Sequence, residues 1–343
     1  MRKPDIRTGP RHPRLAAAGY EITRRLSERA MAKLGLHKAN GEFAQRTIAS
    51  IRERLQRSET IYVAGLACPG THNTGVALVE VTQKDGPRLI VNNEEERFSG
   101  NKHTNEFPQH ALDDMRKVLQ RMGRDIGDIA AFVTTWDYPA LMAMLIRTSF
   151  EEAPASIKLL RAPIAPAINL RQMDQVRRIS RKLAKMYGLG EQLPLICMPH
   201  HDNHAWYSFT ASPFADIRER VAIAVLDGTG DVGSISLYVA ENGEMKQLYC
   251  NDSLFDSLGA FYTVISSSQG GWTWLSSEGR YMGAAAWGDM NRATNPYYAR
   301  LKDVLQLGPD GTVLLNRAMA NWYADPADNP YKQPLIDILG PPL

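Results

Sequence analysis

Residues 221–239 read VAIAVLDGTGDVGSISLYV, an apolar run, a turn of small and acidic residues, and a second apolar run. Both runs are predicted strands, because they are short, rich in Val and Ile and bounded by turn residues. A strand that ends in a carboxylate, here Asp227, and continues into glycines lets backbone N–H groups approach a phosphate closely. The alternative is a plain hairpin with an Asp-Gly turn. The second carboxylate, Asp231, favours a binding site.

A similar order of strands occurs earlier in the chain. Residues 61–66, 75–81 and 89–91 are three predicted strands joined by short connections, so they form a meander. A helix is predicted over 109–122 and a further strand over 129–135. Two such units are typical of a duplicated actin- or hexokinase-type nucleotide-binding fold, and they also fit other mixed α/β folds.

Composition bounds the class of protein. The chain has 343 residues, 44% hydrophobic and 22% charged, as in an ordinary soluble globular protein of about two domains. A net charge of +3 does not by itself indicate a nucleic-acid partner. Cys68, Cys197 and Cys250 are widely spaced, so no disulfide framework is predicted. No apolar run is long enough for a membrane span. A cytoplasmic location is expected.

The first sixty residues differ from the rest in being dense in Arg and Lys. Helices are predicted over 22–34 and 42–57, where the apolar spacing is helical and Gly and Pro are absent. In the first of these helices, Arg24, Arg25 and Arg29 are predicted to form a basic face exposed to solvent. The alternative is contact with a membrane surface, a nucleic acid or a protein partner.

Three of the eight histidines lie in the segment PHHDNHAW at 199–206, directly after a predicted strand over 193–198. His200 and His204 are four residues apart, so on a helix they share one face and can bind one metal ion. Imidazole nitrogen suits iron, zinc, copper or nickel. The alternative is a pair of ordinary histidines in the core or in solvent.

Three further segments carry weaker signals. The polar turn GTHNTG at 70–75 is a possible phosphate cradle or a hydrogen-bonded hairpin, and His72 suits a general base near neutral pH. NEEERF at 93–98 would alone be a charged surface loop. The glycines of SEGRYMG at 277–283 indicate a helix that packs closely against a ligand or against protein.

Together these segments resemble the carbamoyltransferase family that includes nodulation-factor, aminoglycoside and novobiocin-type O-carbamoyltransferases. The family's motifs are matched in order by HNTGVAL at 72–78, EERF at 95–98, HHDNHA at 200–205, DGTGD at 227–231, SLGAFY at 257–262 and EGRYMG at 278–283. The resemblance implies an α/β, actin/hexokinase-like fold of the duplicated ribonuclease-H-like (ASKHA) type. It also implies transfer of a carbamoyl group to a hydroxyl of a sugar or secondary metabolite, such as a nodulation factor or an antibiotic.

In such enzymes a separate YrdC-like domain makes carbamoyl-adenylate from carbamoyl phosphate and ATP, and the actin-like domain transfers the carbamoyl group. The implied cofactors are ATP and a divalent metal, with Fe2+ the first choice. By match, His200 and His204 are metal ligands and His72 positions or deprotonates the acceptor. The implied nucleotide- or carbamoyl-binding residues are Asp227, Gly228, Thr229, Gly230, Asp231, Glu278 and Gly279. Other residues of the family motifs are Glu95, Glu96, Arg97, Lys102, His103 and His201.

The chain departs from the family pattern in two respects. Asn73 and Thr74 replace the usual Asp-Ser, which weakens a metal or proton role for that turn. The family's later segments and its YrdC-like domain have no counterpart, so the domain is expected to be incomplete at its C-terminus and to need a separate chain. The expected boundaries are a basic helical extension over 1–59, an actin-like domain over 60–290 and a tail over 291–343. Alternatives are a non-catalytic or split subunit, and an actin-like ATP-binding protein without carbamoyl chemistry.

Overall fold

The computed structural model describes residues 8–68, 72–160, 170–215, 219–268, 277–296, 298–301, 304–309 and 312–317. The strands are β1 (Leu36–Lys38), β2 (Ile61–Ala67), β3 (Gly75–Thr82), β4 (Gly86–Glu94), β5 (Ile129–Thr134), β6 (Leu195–Cys197), β7 (Val221–Leu226), β8 (Ile235–Glu241), β9 (Glu244–Cys250), β10 (Leu305–Leu307) and β11 (Val313–Leu315). The helices are α1 (Pro13–Ala32), α2 (Glu42–Gln56), α3 (Glu96–Ser99), α4 (Gln109–Arg121), α5 (Tyr138–Glu151), α6 (Leu170–Val176), α7 (Ile179–Met186), α8 (His200–Thr210), α9 (Leu258–Ser268), α10 (Ser277–Ala284) and α11 (Tyr298–Leu301).

Six strands form the larger sheet, in the order β1-β6-β5-β2-β3-β4. The strands β2, β3 and β4 pair antiparallel, which confirms the predicted meander. The strands β1, β6, β5 and β2 pair in parallel. The protein is therefore a mixed α/β protein, as expected from the sequence, and its larger sheet contains three parallel and two antiparallel strand pairs.

The parallel strands of this sheet bring two loops together at the carboxyl ends of β5 and β6. Thr134 of β5 is paired with Leu66 of β2 and with Cys197 of β6. Because parallel strands run in the same direction, the segments after β5 and β6 leave the sheet side by side. The segment after β6 leads directly into α8, which begins at His200.

Helices cover the sheet through apolar side chains. Ala44 of α2 is buried against Ala131 of β5 and Ile196 of β6, with Phe43 and Val133 packed around them. The helix α4 packs on β3 and β4 and buries Ala111, Leu112, Met115 and Leu119, so the predicted helix has an apolar stripe on its sheet-facing side. This burial holds β5 and β6, and hence the loops that follow them, in fixed positions.

The basic N-terminal segment contributes to this sheet. The strand β1 pairs in parallel with β6, and α2 packs on β1, β2 and β5. The prediction that Arg24 lies on a solvated face is wrong, because Arg24 donates to the buried carboxylate of Asp137 at 3.0 Å. Arg25 does lie in solvent, with 79% of its side chain exposed. A buried carboxylate needs a charged partner, which explains the difference between the two arginines.

A second, antiparallel sheet has the order β7-β8-β9. Its β7 has the predicted bounds, and Leu226 is paired with Ile235 across the turn that joins β7 to β8. Val225 and Tyr238 are buried with Ala205 on one face. Further along, in the predicted tail, β10 and β11 pair antiparallel.

The chain divides into two compact units. One comprises Glu21–Ala143 and Leu170–His204 and contains the six-stranded sheet, and the other comprises Met1–Tyr20, Met144–Asn169 and Ala205–Leu343. Among the described residues, no helix has both the length and the hydropathy required to cross a membrane.

Candidate functional site

The two histidines predicted as metal ligands lie on successive turns of α8. Their Nε2 atoms are 3.2 Å apart, and the ring planes are inclined at 85°. His200 is half-buried at the start of the helix, and His204 is exposed. The four-residue spacing therefore brings the two ring nitrogens together, as the sequence predicts.

The loop after β5 fixes the orientation of His200. The Nδ1 atom of His200 lies 2.9 Å from the carbonyl oxygen of Thr135, and the Trp136 indole lies parallel to the imidazole with a centroid separation of 3.7 Å. A carbonyl oxygen only accepts hydrogen bonds, so Nδ1 carries the proton and Nε2 presents a lone pair. Metal-binding histidines are commonly oriented by such a bond from the other ring nitrogen.

This donor pair fits a divalent metal ion. A tetrahedral ion with nitrogen ligands at about 2.0–2.1 Å places two of those nitrogens roughly 3.3 Å apart. The observed 3.2 Å between the Nε2 atoms of His200 and His204 agrees with that separation. The third histidine of the segment, His201, is buried, and its ring centroid is 6.3 Å from that of His200.

The glycine-rich turn after β7 is closed by its own backbone. The N–H of Asp227 donates to the carbonyl of Ser234 at 2.8 Å, and the N–H of Gly230 donates to the carbonyl of Gly233 at 2.5 Å. The N–H of Gly228 donates to Oδ1 of Asp227 at 2.6 Å. The N–H groups of Gly228 and Gly230, which the sequence predicts to approach a phosphate, are therefore already hydrogen-bonded within the turn. A phosphate bound here would contact other groups of the turn or replace these hydrogen bonds.

The remaining two turn residues, Thr229 and Asp231, are buried. Ser257 supports the turn by donating its hydroxyl to the carbonyls of Asp227 (3.1 Å) and Gly228 (2.8 Å). Gly259, two residues further on, has no room for a side chain, since a Cβ there would lie 2.7 Å from the nitrogen of Gly228. Ser257 and Gly259 therefore pack against the glycine-rich turn and fix its position.

Asn251 supports the other end of this turn. Its Oδ1 accepts from the N–H groups of Ser234 (2.7 Å) and Ile235 (2.8 Å), and its Nδ2 donates to the carbonyl of Ser253 at 3.0 Å. A Cβ on Gly233 would collide with the backbone oxygen of Asn251. A buried amide with these bonds defines the shape of the turn.

His72 lies in solvent in the loop before β3, and Gly70 and Thr71, the first two residues of the predicted polar turn, lie outside the described residues. Its Nδ1 is 2.5 Å from Oδ1 of Asn73, and Nδ1 of His103 is 3.3 Å from the same oxygen. Asn73 and His103 have φ of 55° and 53°, a region that non-glycine residues seldom adopt. The loop thus brings two predicted residues, His72 and His103, to one side-chain amide.

The EERF segment supports this loop. Buried Glu95 accepts from the N–H of Ala111 at 2.9 Å and lies 2.5 Å from Nδ1 of His110, which ties β4 to the start of α4. Glu96 accepts from the N–H of His103 at 2.9 Å and from Lys102 at 3.2 Å. These two donors lower the pKa of Glu96, the backbone N–H of His103 most. Both carboxylates are thus bonded to protein groups.

The remaining predicted residues are more exposed. Arg97 is 70% exposed and lies 3.5 Å from Glu94. Glu278 and Gly279 lie in the first turn of α10, where the carbonyl of Glu278 accepts from the Tyr262 hydroxyl at 3.4 Å. Among the described residues, a Cβ on Gly279 would meet nothing within 4 Å, so close packing against them does not account for this glycine.

The motifs found in the sequence belong to one family. A model of the carbamoyltransferase N-terminus matches residues 63–328, well over half of the chain. The chain belongs to the carbamoyltransferase family. The match begins within β2, so α1, β1 and α2 lie outside the matched residues.

Two relatives match this chain over part of their lengths. The carbamoyltransferase chain is 26% identical over 257 residues to the uncharacterized protein sll1178 of Synechocystis, a match that covers 73% of this chain. It is 28% identical over 228 residues to nodulation protein NolNO of Sinorhizobium fredii, a match that covers 64% of this chain. The chain spans 38% and 30% of the length of these two relatives. The activity of those longer proteins does not pass to this chain by similarity alone.

Three residues that shape the site in this carbamoyltransferase were missed in the sequence. Thr135 and Trp136 orient His200, and Asn251 fixes the glycine-rich turn. A signal for these two was present, because polar Thr135 is the last residue of the predicted strand at 129–135 and the aromatic Trp136 directly follows it. Asn251 gave no comparable signal, since its role depends on hydrogen bonds to residues sixteen and seventeen positions away.

Proposed function

We propose that this chain carries the carbamoyl-transferring site of an O-carbamoyltransferase. The reaction passes a carbamoyl group from carbamoyl-adenylate to a hydroxyl of a sugar or secondary metabolite. The single observation that carries the proposal is the His200–His204 pair, whose Nε2 atoms converge at 3.2 Å within a chain of the carbamoyltransferase family. This geometry suits one shared divalent ion.

His200 and His204 are the proposed ligands. Thr135 keeps the proton of His200 on Nδ1, which leaves Nε2 available as a ligand, and Trp136 keeps the ring in its plane. When bound, a divalent ion such as Fe2+ supplies positive charge next to carbamoyl or phosphate oxygens that gain negative charge during transfer.

His72 is the proposed group that positions and deprotonates the acceptor. With its Nδ1 bonded to the oxygen of Asn73, the neutral ring presents Nε2 as the base. The acceptor oxygen forms a bond to the carbamoyl carbon, and the bond from that carbon to the adenylate phosphate oxygen breaks. The hydroxyl proton passes to Nε2 of His72, and AMP leaves with the electron pair of the broken bond.

The proposed fold is the duplicated actin/hexokinase-like fold. Two antiparallel meanders support it, because β2-β3-β4 and β7-β8-β9 each consist of three successive strands and each has a polar turn after its first strand. In this proposal the turn from Asp227 to Asp231 faces the nucleotide, together with Glu278 and Gly279.

The carbamoyl-adenylate is proposed to come from carbamoyl phosphate and ATP in a YrdC-like domain. The two relatives are long enough to hold such a domain, since the chain spans 38% and 30% of their lengths.

A second candidate is a subunit that works only with another polypeptide. Exposed apolar residues on the smaller sheet favour it, because Leu226 is 60% and Leu248 62% exposed. Apolar surface of this kind is typical of a protein interface.

The test is carbamoyl transfer with labelled carbamoyl phosphate, ATP and a panel of hydroxylated acceptors. Purified chain is assayed alone and with the C-terminal part of a full-length relative, and its metal content is measured. Product in either assay that disappears in His72→Ala and in His200→Ala supports the proposal. Turnover that survives both substitutions contradicts the assigned roles, and activity only with the added polypeptide favours the second candidate.

A further inference from the structure

We propose that Arg24 is a positioning residue for the imidazole of His200, acting through Asp137. Arg24 lies on α1, outside the residues matched by the family model. The inference rests on the proposed function only in taking His200 as a metal ligand. It gives the basic N-terminal segment a role in the site.

The first contact is between Arg24 and Asp137. Nη2 of Arg24 donates to Oδ2 of Asp137 at 3.0 Å, and Asp137 is buried. The other carboxylate oxygen accepts from the N–H of Ala140 at 3.1 Å, at the start of α5. Burial raises the pKa of Asp137, and the charge of Arg24 opposes that rise. The charge of Arg24 therefore favours the ionised form of the carboxylate in this position.

Asp137 directly follows the two residues that hold His200. Thr135 accepts from Nδ1 of His200 and Trp136 stacks on its ring. The hydroxyl of Thr134 donates to the carbonyl of Trp136 at 3.0 Å. Asp137 thus fixes the carboxyl end of a four-residue segment whose middle determines the orientation of the imidazole.

The same network reaches β6, the strand that leads to His200. Arg24 donates to Glu28 at 2.8 Å, and Glu28 accepts from Lys38 of β1 at 2.9 Å. Lys38 is paired in register with Cys197 of β6, three residues before His200. These residues, Arg24, Glu28, Lys38 and Asp137, are called the Arg24 network. The network contacts both the loop that orients His200 and the strand that leads to it.

A second contact of α1 acts on the same loop. The hydroxyl oxygen of Ser27 lies 3.1 Å from the carbonyl oxygen of Pro139 and 2.7 Å from that of Thr23 in its own helix, so its one proton is shared between these carbonyls. Arg24 and Ser27, three positions apart on one face of α1, therefore both contact residues 137–139. Without Arg24, the buried carboxylate of Asp137 would have to move toward water or take up a proton, and the adjoining loop would shift with it.

The test compares Arg24→Ala with the matched control Arg25→Ala in the full chain. Arg25 lies on the same helix, is 79% exposed and lies 3.8 Å from exposed Glu21. The first measurement is the NMR signal of the His200 Nδ1 proton in metal-free protein. That proton is bonded to the carbonyl of Thr135, so we expect it to exchange slowly enough with water to be seen. The second is the affinity for Co2+ alone, used as a stand-in for the physiological ion.

We expect Arg24→Ala to broaden or remove the Nδ1 proton signal and to weaken Co2+ binding about tenfold, the lower end of the effect of losing an orienting partner. Arg25→Ala should leave both unchanged, and Arg24→Lys should restore part of each. Should Arg24→Ala fail to fold, Asp137→Asn gives the same two measurements, because its amide oxygen can still accept from Ala140.

A folded Arg24→Ala protein with an unchanged proton signal and unchanged Co2+ affinity would overturn the inference, even if its stability fell. A wild-type chain that keeps the Nδ1 proton signal but binds no Co2+ would refute the metal assignment instead. In that case the signal in the variants still decides whether Arg24 positions His200.

Discussion

The indole of Trp136 lies flat against the imidazole of His200, with ring centroids 3.7 Å apart and planes inclined by 4°. A metal ion bound at Nε2 of His200 is therefore close enough to this indole to quench its fluorescence. We expect Co2+ to quench part of the tryptophan emission of the wild-type chain, and Trp136→Phe to lose that part. Trp287→Phe is the control, because Trp287 is 93% exposed. Equal quenching in wild type and Trp136→Phe would place the ion elsewhere.

Gly259 lies against the glycine-rich turn, so a side chain there should distort it. A Cβ would lie 2.7 Å from the nitrogen of Gly228 and 2.8 Å from the carbonyl carbon of Asp227, both backbone atoms that cannot turn aside. We expect Gly259→Ala to lower the free energy of unfolding by about 1–3 kcal/mol, as overpacking does. Urea unfolding measures it.

The matched control for that substitution is Gly283→Ala in α10, where a Cβ would meet nothing within 4 Å. Replacing glycine by alanine inside a helix should raise the free energy of unfolding, by about 0.5–1 kcal/mol. Equal effects of the two substitutions would mean that the contact between Gly259 and the turn is absent in solution.

Glu95 belongs to a family motif, and we expect its side chain to stabilise the folded protein. Its buried carboxylate accepts from the N–H of Ala111 and lies 2.5 Å from Nδ1 of His110. We expect Glu95→Ala to cost about 1–3 kcal/mol of unfolding free energy, since buried donors lose their partner. Glu94→Ala should cost little, because Glu94 is 46% exposed and pairs with an exposed arginine. Thermal and urea unfolding distinguish them, and similar losses would argue against this role.

The Arg24 network predicts a pH-dependent contribution to stability. Burial raises the pKa of Glu28, but bonds from Arg24 and Lys38 outweigh it, so the pKa lies below its ordinary value of 4.5. Because the pKa is lowered in the folded state, the ionised carboxylate of Glu28 stabilises the protein fully above pH 4.5. This stabilisation is lost as the pH falls through the folded-state pKa. Glu28→Gln should therefore be less stable than wild type at pH 7, by about 1 kcal/mol or less.

The difference between wild type and Glu28→Gln should disappear in acid. Glu21→Gln is the control, since Glu21 is 63% exposed and lies 3.8 Å from Arg25. Urea unfolding from pH 7 down to the acid limit of the folded state gives the comparison. A difference that does not change with pH would mean that the carboxylate charge contributes nothing.

The sequence predicted the regular elements where periodicity and turn residues agree. The strand over 221–226 has exact bounds, and the helix predicted over 42–57 is Glu42–Gln56. The helix predicted to begin at residue 22 begins at Pro13 instead, because it continues through Gly19. Four strands were missed. β1, β10 and β11 are only three residues long, and β9 reads EMKQLYC, with mostly polar residues in its first half.

The site was predictable only in part, for a physical reason. The spacing of His200 and His204 is local, so helix geometry alone brings their nitrogens together. The bond from His200 to Thr135 joins residues 65 positions apart, and the pair of Arg24 and Asp137 joins residues 113 apart. Such contacts depend on the strand order of the sheet, which the sequence alone did not predict.

The central claim is that the His200–His204 pair holds the ion of a carbamoyl-adenylate site. Its most direct test is calorimetric binding of a stable carbamoyl-adenylate analogue, with a sulfamate in place of the phosphate, to the chain loaded with Co2+. We predict 1:1 binding that is lost on chelation and in His200→Ala and His204→Ala, but retained in Tyr207→Ala, an exposed position on the same helix. Binding that is indifferent to metal and to both histidines, or no binding by the loaded wild type, would contradict the account.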